Sequence, residues 1–352
     1  MGAMIPETSR VFLNPYSIRH RENTSPELFG YGAFFEQSDL KNRIAYYEPP
    51  VSPLHRAKVD LRDLWGSSYP PIQTQGKVGA CTAFAVCGAM ECLSRSRQLI
   101  PLWSLSAFFL YEETLRAAKT SKTVAQSVRY RTQPAWKQPT IQQETVETTN
   151  WLALRTRSQS TNSKSTTGSK SISQTTDQNK LVDTGSTTLE ALRTASTSGV
   201  ADQKSIPPDF TWNSVPQNSA IESASHHKVA KYLRVRQDLT SLRTTLANGY
   251  AVLVTVGIST KANEWMHSAA LQRPTYILPT PWGPQDIEDI SGAHAVSLVG
   301  YDDMARVFTV RNSWGPAWGA DGHFYLTYET ILTPLWCRDF YVILKLGGYK
   351  SL

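Results

Sequence analysis

Pro71-Ile72-Gln73-Thr74-Gln75-Gly76-Lys77-Val78-Gly79-Ala80-Cys81-Thr82-Ala83-Phe84-Ala85 is the stretch on which the reading of this chain turns. It passes from a polar loop punctuated by glycine straight into an alanine-rich apolar run. That change of pattern predicts a helix from Cys81 to about Ser96. The helix is apolar on nearly every face and is therefore expected to be buried. Cys81 stands at its start, where the partial positive charge of the helix N-terminus favours thiolate over thiol. A reactive cysteine fits this position. So does a small buried hydrophobe, the common fate of a free cysteine, and the stretch alone does not separate the two.

A second region weighs on that choice. Gly292-Ala293-His294-Ala295-Val296-Ser297-Leu298-Val299-Gly300-Tyr301-Asp302-Asp303 is followed by Val310-Arg311-Asn312-Ser313-Trp314-Gly315-Pro316-Ala317-Trp318-Gly319. A nucleophilic cysteine needs a base, and the base needs a third group to orient it. His294 and Asn312 supply both residue types, in the chain order Cys, His, Asn.

Taken together, the Q-G-x-x-G-A-C run, the H-A-V strand and the N-S-W-G-x-x-W-G loop resemble the papain-like cysteine peptidases, from about Val59 to about Leu346 with one large insertion. The resemblance implies an α+β papain-like fold. A helical half and an antiparallel β-barrel-like half would hold the active site in the cleft between them. It implies Cys81 as nucleophile, His294 as base, Asn312 as its orienting partner and the Gln75 side chain as an oxyanion donor. Cys81 would rest as thiolate beside a His294 imidazolium. Gly185 and Ser186 fall where the family pairs by backbone with substrate. Ala293, Trp314 and Trp318 would line the cleft, Trp314 covering the His294–Asn312 bond. No metal or organic cofactor is implied, and the partner would be a peptide or protein substrate.

Three departures stand out. The family signature C-G-[SA]-C-[WY] reads Val78-Gly79-Ala80-Cys81-Thr82 here, so the first cysteine, normally in a disulfide, is valine and the aromatic is threonine. Ser186 stands where the family has the second glycine of a pair, and capping the next helix is an equally good use for it. The sequence resembles the disulfide-poor bacterial or viral type of member. Two rival readings keep the same residues: an acyl transferase or ligase, and an inactive peptide-binding module. Nucleic-acid binding is a more remote one.

Four cysteines in 352 residues make no disulfide scaffold, and a cytoplasmic or other reducing compartment is the expectation. No signal peptide or membrane-spanning run is visible. Residues 1–58 form a proline-punctuated leader, read as a packed arm or a short inhibitory prosegment. The missing long patterned helix favours the arm. Residues 59–352 form the catalytic domain, interrupted at 118–182 by a low-complexity insertion read as disordered. Cys81 and His294 lie 213 positions apart, against roughly 130–150 in the family, and the insertion accounts for the excess. The chain's net charge of +7 is matched by the charge of residues 119–182 alone, which makes an anionic partner for that segment conceivable. Histidines outside the motifs, among them His267 and His323, are read as surface or core residues.

Overall fold

The computed structural model describes residues 30–36, 43–50, 56–97, 103–120, 181–207, 212–213, 218–267, 276–279 and 289–347. Parts of the expected leader (1–29, 37–42, 51–55) and most of the expected insertion (121–180) lie outside the described residues. So do Trp136 and Trp151 within it.

Central to the sheet is β5 (Val252–Ser259), whose eight residues are all buried. A continuous run of this kind marks a strand covered on both faces. It pairs antiparallel with the long β6 (Ile290–Asp302) on one side and with β9 (Cys337–Gly347) on the other. Beyond β9 lies β4 (Lys228–Arg234). On its far edge β6 carries β7 (Val307–Arg311), which continues to β8 (His323–Thr327), while β2 (Lys58–Asp60) pairs with residues 300–302 of β6 on the edge opposite β7, beyond the end of β5. Two short strands complete the sheet. β1 (Ala33–Phe34) pairs antiparallel with β6 and parallel with β3 (Ser186–Thr187). The pairings among the described residues do not close into a ring. The expected barrel-like half is thus an open, mixed sheet, branched at β6 because that strand is long enough to hold different partners along its length.

Against the sheet packs the helical part. After the short α1 (Leu61–Trp65) comes α2, which spans Cys81–Ser96 as the alanine-rich pattern predicted, with every residue from Cys81 to Ser94 buried. α3 (Ala107–Thr120) and α4 (Thr188–Thr197) flank it. The cap of α4 is Thr187 and not Ser186: the Thr187 hydroxyl accepts from Glu190 N while the Glu190 side chain accepts from Thr187 N. This reciprocal box satisfies two otherwise unpaired donors and leaves Ser186 to other contacts. The remaining helices are α5 (Asn218–Ser225), α6 (Leu239–Ala247), α7 (Thr260–His267) and α8 (Tyr328–Leu332). Among the described residues, no helix is long and apolar enough to cross a membrane.

Candidate active site

Ala80, the residue before α2, offers no side-chain cap. No side chain therefore competes for the first turn where Cys81 stands, and the helix dipole acts there. The sulfur lies directly beneath the sheet, with Ala295 N donating to Sγ at 3.5 Å. His294, one residue earlier on β6, is set by the ladder opposite Val256.

Asn312 follows the last residue of β7, and its backbone is held by Asn312 N donating to Gly322 O at 3.0 Å. Its Oδ1 lies 2.8 Å from His294 Nε2 and accepts a second bond, also 2.8 Å, from Ser313 N. An acceptor at Nε2 selects the tautomer with the proton there. His294 Nδ1 is then a buried acceptor with no hydrogen-bond partner among the described residues. Trp314 leans over the imidazole, with ring centroids 5.0 Å apart, and Trp318 meets Trp314 edge-on at the same spacing.

Gln75 is bound to this loop twice. Its N donates to Ser313 O at 2.9 Å, and its Oε1 accepts from Ser313 Oγ. Arg311, buried beneath, donates to the carbonyls of Pro70 and Pro71 and so holds the run leading to Gln75. The Gln75 amide is aimed toward the Cys81 loop, where Nε2 donates to Val78 O at 2.7 Å and to Gly30 O at 2.9 Å.

That last contact introduces residues which carry no motif. The segment 30–36 runs across the cleft. Gly30 N donates to Gly76 O, and Ser186 N donates to Gly32 O at 2.7 Å. Ala33 lies opposite both Ser186 and Ala293. Two of the positions expected to meet substrate, Ser186 and Ala293, are therefore engaged by the chain's own arm. Gly32 permits the passage: a Cβ there would lie 1.7 Å from Gly79 O. Tyr31 packs edge-on against His294 at 5.5 Å and against Trp314 at 5.6 Å, and its hydroxyl lies 3.2 Å from His267 Nδ1. The sequence reading missed Tyr31 and His267, because each contact joins residues more than 230 positions apart or rests on a ring with no motif around it.

Enclosure governs the electrostatics. Burial pushes the Cys81 thiol up, although backbone N–H groups of Ala295, Gly32, Thr82 and Cys81 oppose it. Burial also drives His294 down to about 4, against the Asn312 bond and with help from the nearby His267. The expected thiolate–imidazolium pair is thus not what this covered arrangement favours. Taking both charges out of water costs more than the groups around them return.

The other expected site residues fall close by. Gly185, with φ +71°, donates its N–H to Tyr111 Oη at 2.8 Å, and Trp318 Nε1 donates to Met266 O. All four cysteines are free and buried. Among the described residues, no group of three His, Cys, Asp or Glu side chains is arranged to hold a metal.

The sequence pattern of the papain family cysteine proteases matches residues 159–333, a span that takes in His294 and Asn312 but begins after Cys81. An uncharacterized peptidase C1-like protein of Acanthamoeba polyphaga mimivirus is 37% identical over 60 residues, 17% of this chain and 19% of its own. A cathepsin B-like protein of Giardia intestinalis is 50% identical over 44 residues, 12% and 15% respectively. The matched stretches thus span less than a fifth of these relatives' length. In fold, the chain is similar to xylellain, a cysteine protease from Xylella fastidiosa, with a TM-score of 0.63, 22% identity, and coverage of 92% of this chain and 98% of that one. A clostridial cysteine protease gives a TM-score of 0.52 at 14% identity, covering 84% and 58%. The chain thus carries a papain-like fold and matches the papain-family pattern over residues 159–333.

Proposed function

We propose that the chain hydrolyses peptide bonds as a cysteine endopeptidase, with Cys81 as nucleophile, and that residues 30–36 are an arm that must leave the cleft first. One observation carries the reading. Asn312 Oδ1 holds the His294 imidazole at Nε2, the next residue on β6, Ala295, donates its N–H to Cys81 Sγ, and His294 Nδ1 is buried with no hydrogen-bond partner among the described residues. A buried acceptor left unpaired is costly, and a proton from the thiol is the use that relieves it.

Once peptide replaces the arm, Cys81 gives its proton to His294 Nδ1 and the sulfur attacks the carbonyl carbon. The oxyanion takes hydrogen bonds from Gln75 Nε2 and Cys81 N–H. The imidazolium then protonates the leaving amine as the C–N bond breaks. Water adds to the thioester, its proton returns through His294, and the acid product leaves with Cys81 restored. Gln75 Nε2 is an apt donor, for it already binds a carbonyl oxygen, that of Gly30. The arm itself offers the sulfur no electrophile: at Gly32 it presents an N–H toward Cys81, and the Gly32 carbonyl is taken by Ser186 N. The reducing compartment inferred from the cysteines belongs to this same proposal, as does an anionic partner for 119–182, which rests on charge alone.

The test is alkylation with peptide turnover. A peptide epoxide labels Cys81 ahead of Cys87, Cys92 and Cys337, and Cys81→Ala abolishes hydrolysis, a loss of at least about 10⁴-fold. Activity that survives in Cys81→Ala removes the reading.

A further inference from the structure

Two side-chain rungs join the nucleophile loop to the strand expected to pair with substrate. Gly79 N donates to Asp183 Oδ2 at 2.9 Å, and the Thr82 and Ser186 hydroxyls lie 2.6 Å apart in a buried contact. Each rung links residues 104 positions apart, so the two segments lie side by side in one register with Cys81 between the rungs. A third connection runs through α3. The Tyr111 hydroxyl donates to Asp183 Oδ1 and accepts from Gly185 N. One carboxylate therefore governs two backbone amides: Gly79, two residues before the nucleophile, and, through the phenol, Gly185, one residue before Ser186.

We propose that Asp183, acting with Tyr111 and the Thr82–Ser186 pair, is a positioning clasp that sets the distance between the nucleophile and the substrate-pairing strand. The assignment of β3 to substrate rests on the peptidase reading above; the clasp itself does not. An ionised carboxylate makes a stronger acceptor than a neutral one. Burial, then the Asp183 carboxylate, push the Tyr111 phenol up, so it keeps the proton it donates. Glycine at both amides lets the backbones come close: a Cβ on Gly79 would stand 2.9 Å from Asp183 Oδ1, and Gly185 holds a positive φ.

The clasp also accounts for the three departures from the family pattern in a single feature. With Val78 in the cysteine position and all four cysteines free, no covalent link joins these segments. Thr82 and Ser186, the other two departures, form the second rung. The alternative is that these are ordinary loop hydrogen bonds. Against it stands their placement on both sides of Cys81. A displacement of about 1 Å between reacting groups costs on the order of 100-fold in rate.

The experiment compares full-length Asp183→Ala, Asp183→Asn and Tyr111→Phe with the unaltered chain. It uses peptide kinetics normalised to titrated sites, iodoacetamide labelling of Cys81 and amide hydrogen exchange. In Asp183→Ala, KM rises and kcat/KM falls roughly 10- to 100-fold, while iodoacetamide labelling does not fall and the Gly79 and Gly185 amides lose protection. Asp183→Asn, which keeps a carbonyl oxygen, recovers part of the loss. Tyr111→Phe deprotects Gly185 alone. The proposal is overturned if Asp183→Ala leaves kcat/KM and both amides unchanged. It is equally overturned if labelling, turnover and melting temperature drop together, as a general loss of structure would produce. Should Asp183→Ala not fold, Tyr111→Phe and Thr82→Val carry the same comparison. If the unaltered chain hydrolyses no peptide, exchange at Gly79 and Gly185 still decides the clasp, and only the peptidase reading falls.

Discussion

The two walls of the cleft are built by different means. On the sheet wall, His294 sits in a ladder flanked by β5 and, a few residues on, by β7, and Asn312 follows the last ladder residue of β7. Its geometry comes from backbone pairing, which any β-forming side chains support. The other wall is assembled from three segments distant in sequence: the Gln75–Cys81 loop, the Asp183–Ser186 loop and the arm at 30–36. No long ladder joins them. Side-chain hydrogen bonds, close glycine contacts and a few isolated backbone bonds do. A ladder tolerates change in its side chains but fixes its register, whereas a laced wall depends on each polar partner. The motif residues His294 and Asn312 accordingly keep the family pattern on the sheet wall, and the departures Val78, Thr82 and Ser186 all gather on the laced one.

Breaking the laced wall at its chemical end gives the largest effect. Gln75→Ala removes the proposed oxyanion donor and is expected to lower kcat by about 100- to 1000-fold with little change in KM. Stopped assays with titrated sites measure it, and near-normal kcat in a folded variant means the oxyanion is held elsewhere.

A smaller effect, opposite in sign, comes from the arm. In Gly32→Ala the new Cβ meets the backbone of Gly79, which has no rotamer with which to yield. The arm is displaced and Cys81 is uncovered. Labelling of Cys81 by iodoacetamide in full-length protein rises on the order of 10-fold, the effect of losing about 1.4 kcal/mol of docking. A rate equal to that of the unaltered chain shows that the arm does not shield the sulfur.

Smaller still, and dependent on pH, is the anchor at the end of the arm. Glu36 is buried, accepts from Leu189 N at 2.6 Å and faces the carboxylates of Asp339 and Glu190. Burial, then Asp339, raises its pKa well above the ordinary value. Docking therefore takes up a proton. Its full strength is present below the ordinary carboxylate pKa of about 4.3 and is lost as pH rises toward the elevated one. Glu36→Gln removes this dependence, so the ratio of Cys81 labelling between the unaltered chain and the variant grows with pH from about 4 upward. A ratio constant across that range refutes the link.

The least effect belongs to the insertion. Replacing residues 122–180 with a short Gly/Ser linker leaves peptide hydrolysis within about twofold, since loop length enters stability only logarithmically. The chain re-enters the described structure through its own anchor. Leu181 N donates to Asn213 Oδ1 at 2.7 Å and Leu181 O accepts from Asn213 Nδ2 at 2.9 Å. Loss of hydrolysis on replacement would make the segment a fourth support of the laced wall.

What the sequence determined by itself is local. The span of α2 follows from an unbroken apolar run behind a glycine loop, and β7 and β8 appear as short β-branched and aromatic runs at 307–311 and 323–327. Cys81, His294 and Asn312 carry motifs dense enough to be read one by one. β4 and β9 escaped, because mixed charged and apolar runs such as Lys228–Arg234 and Cys337–Gly347 show their period only once their partners are known. The coverage of the cleft was left to the tertiary structure. Gly32 meets Cys81, Asp183 meets Gly79 and Tyr31 meets His294 at separations of 49, 104 and 263 residues. No periodicity or local propensity encodes such pairs. The same remoteness bears on the electrostatics: the helix start favours a thiolate, but burial, which only the folded chain creates, pushes the Cys81 thiol up and His294 down.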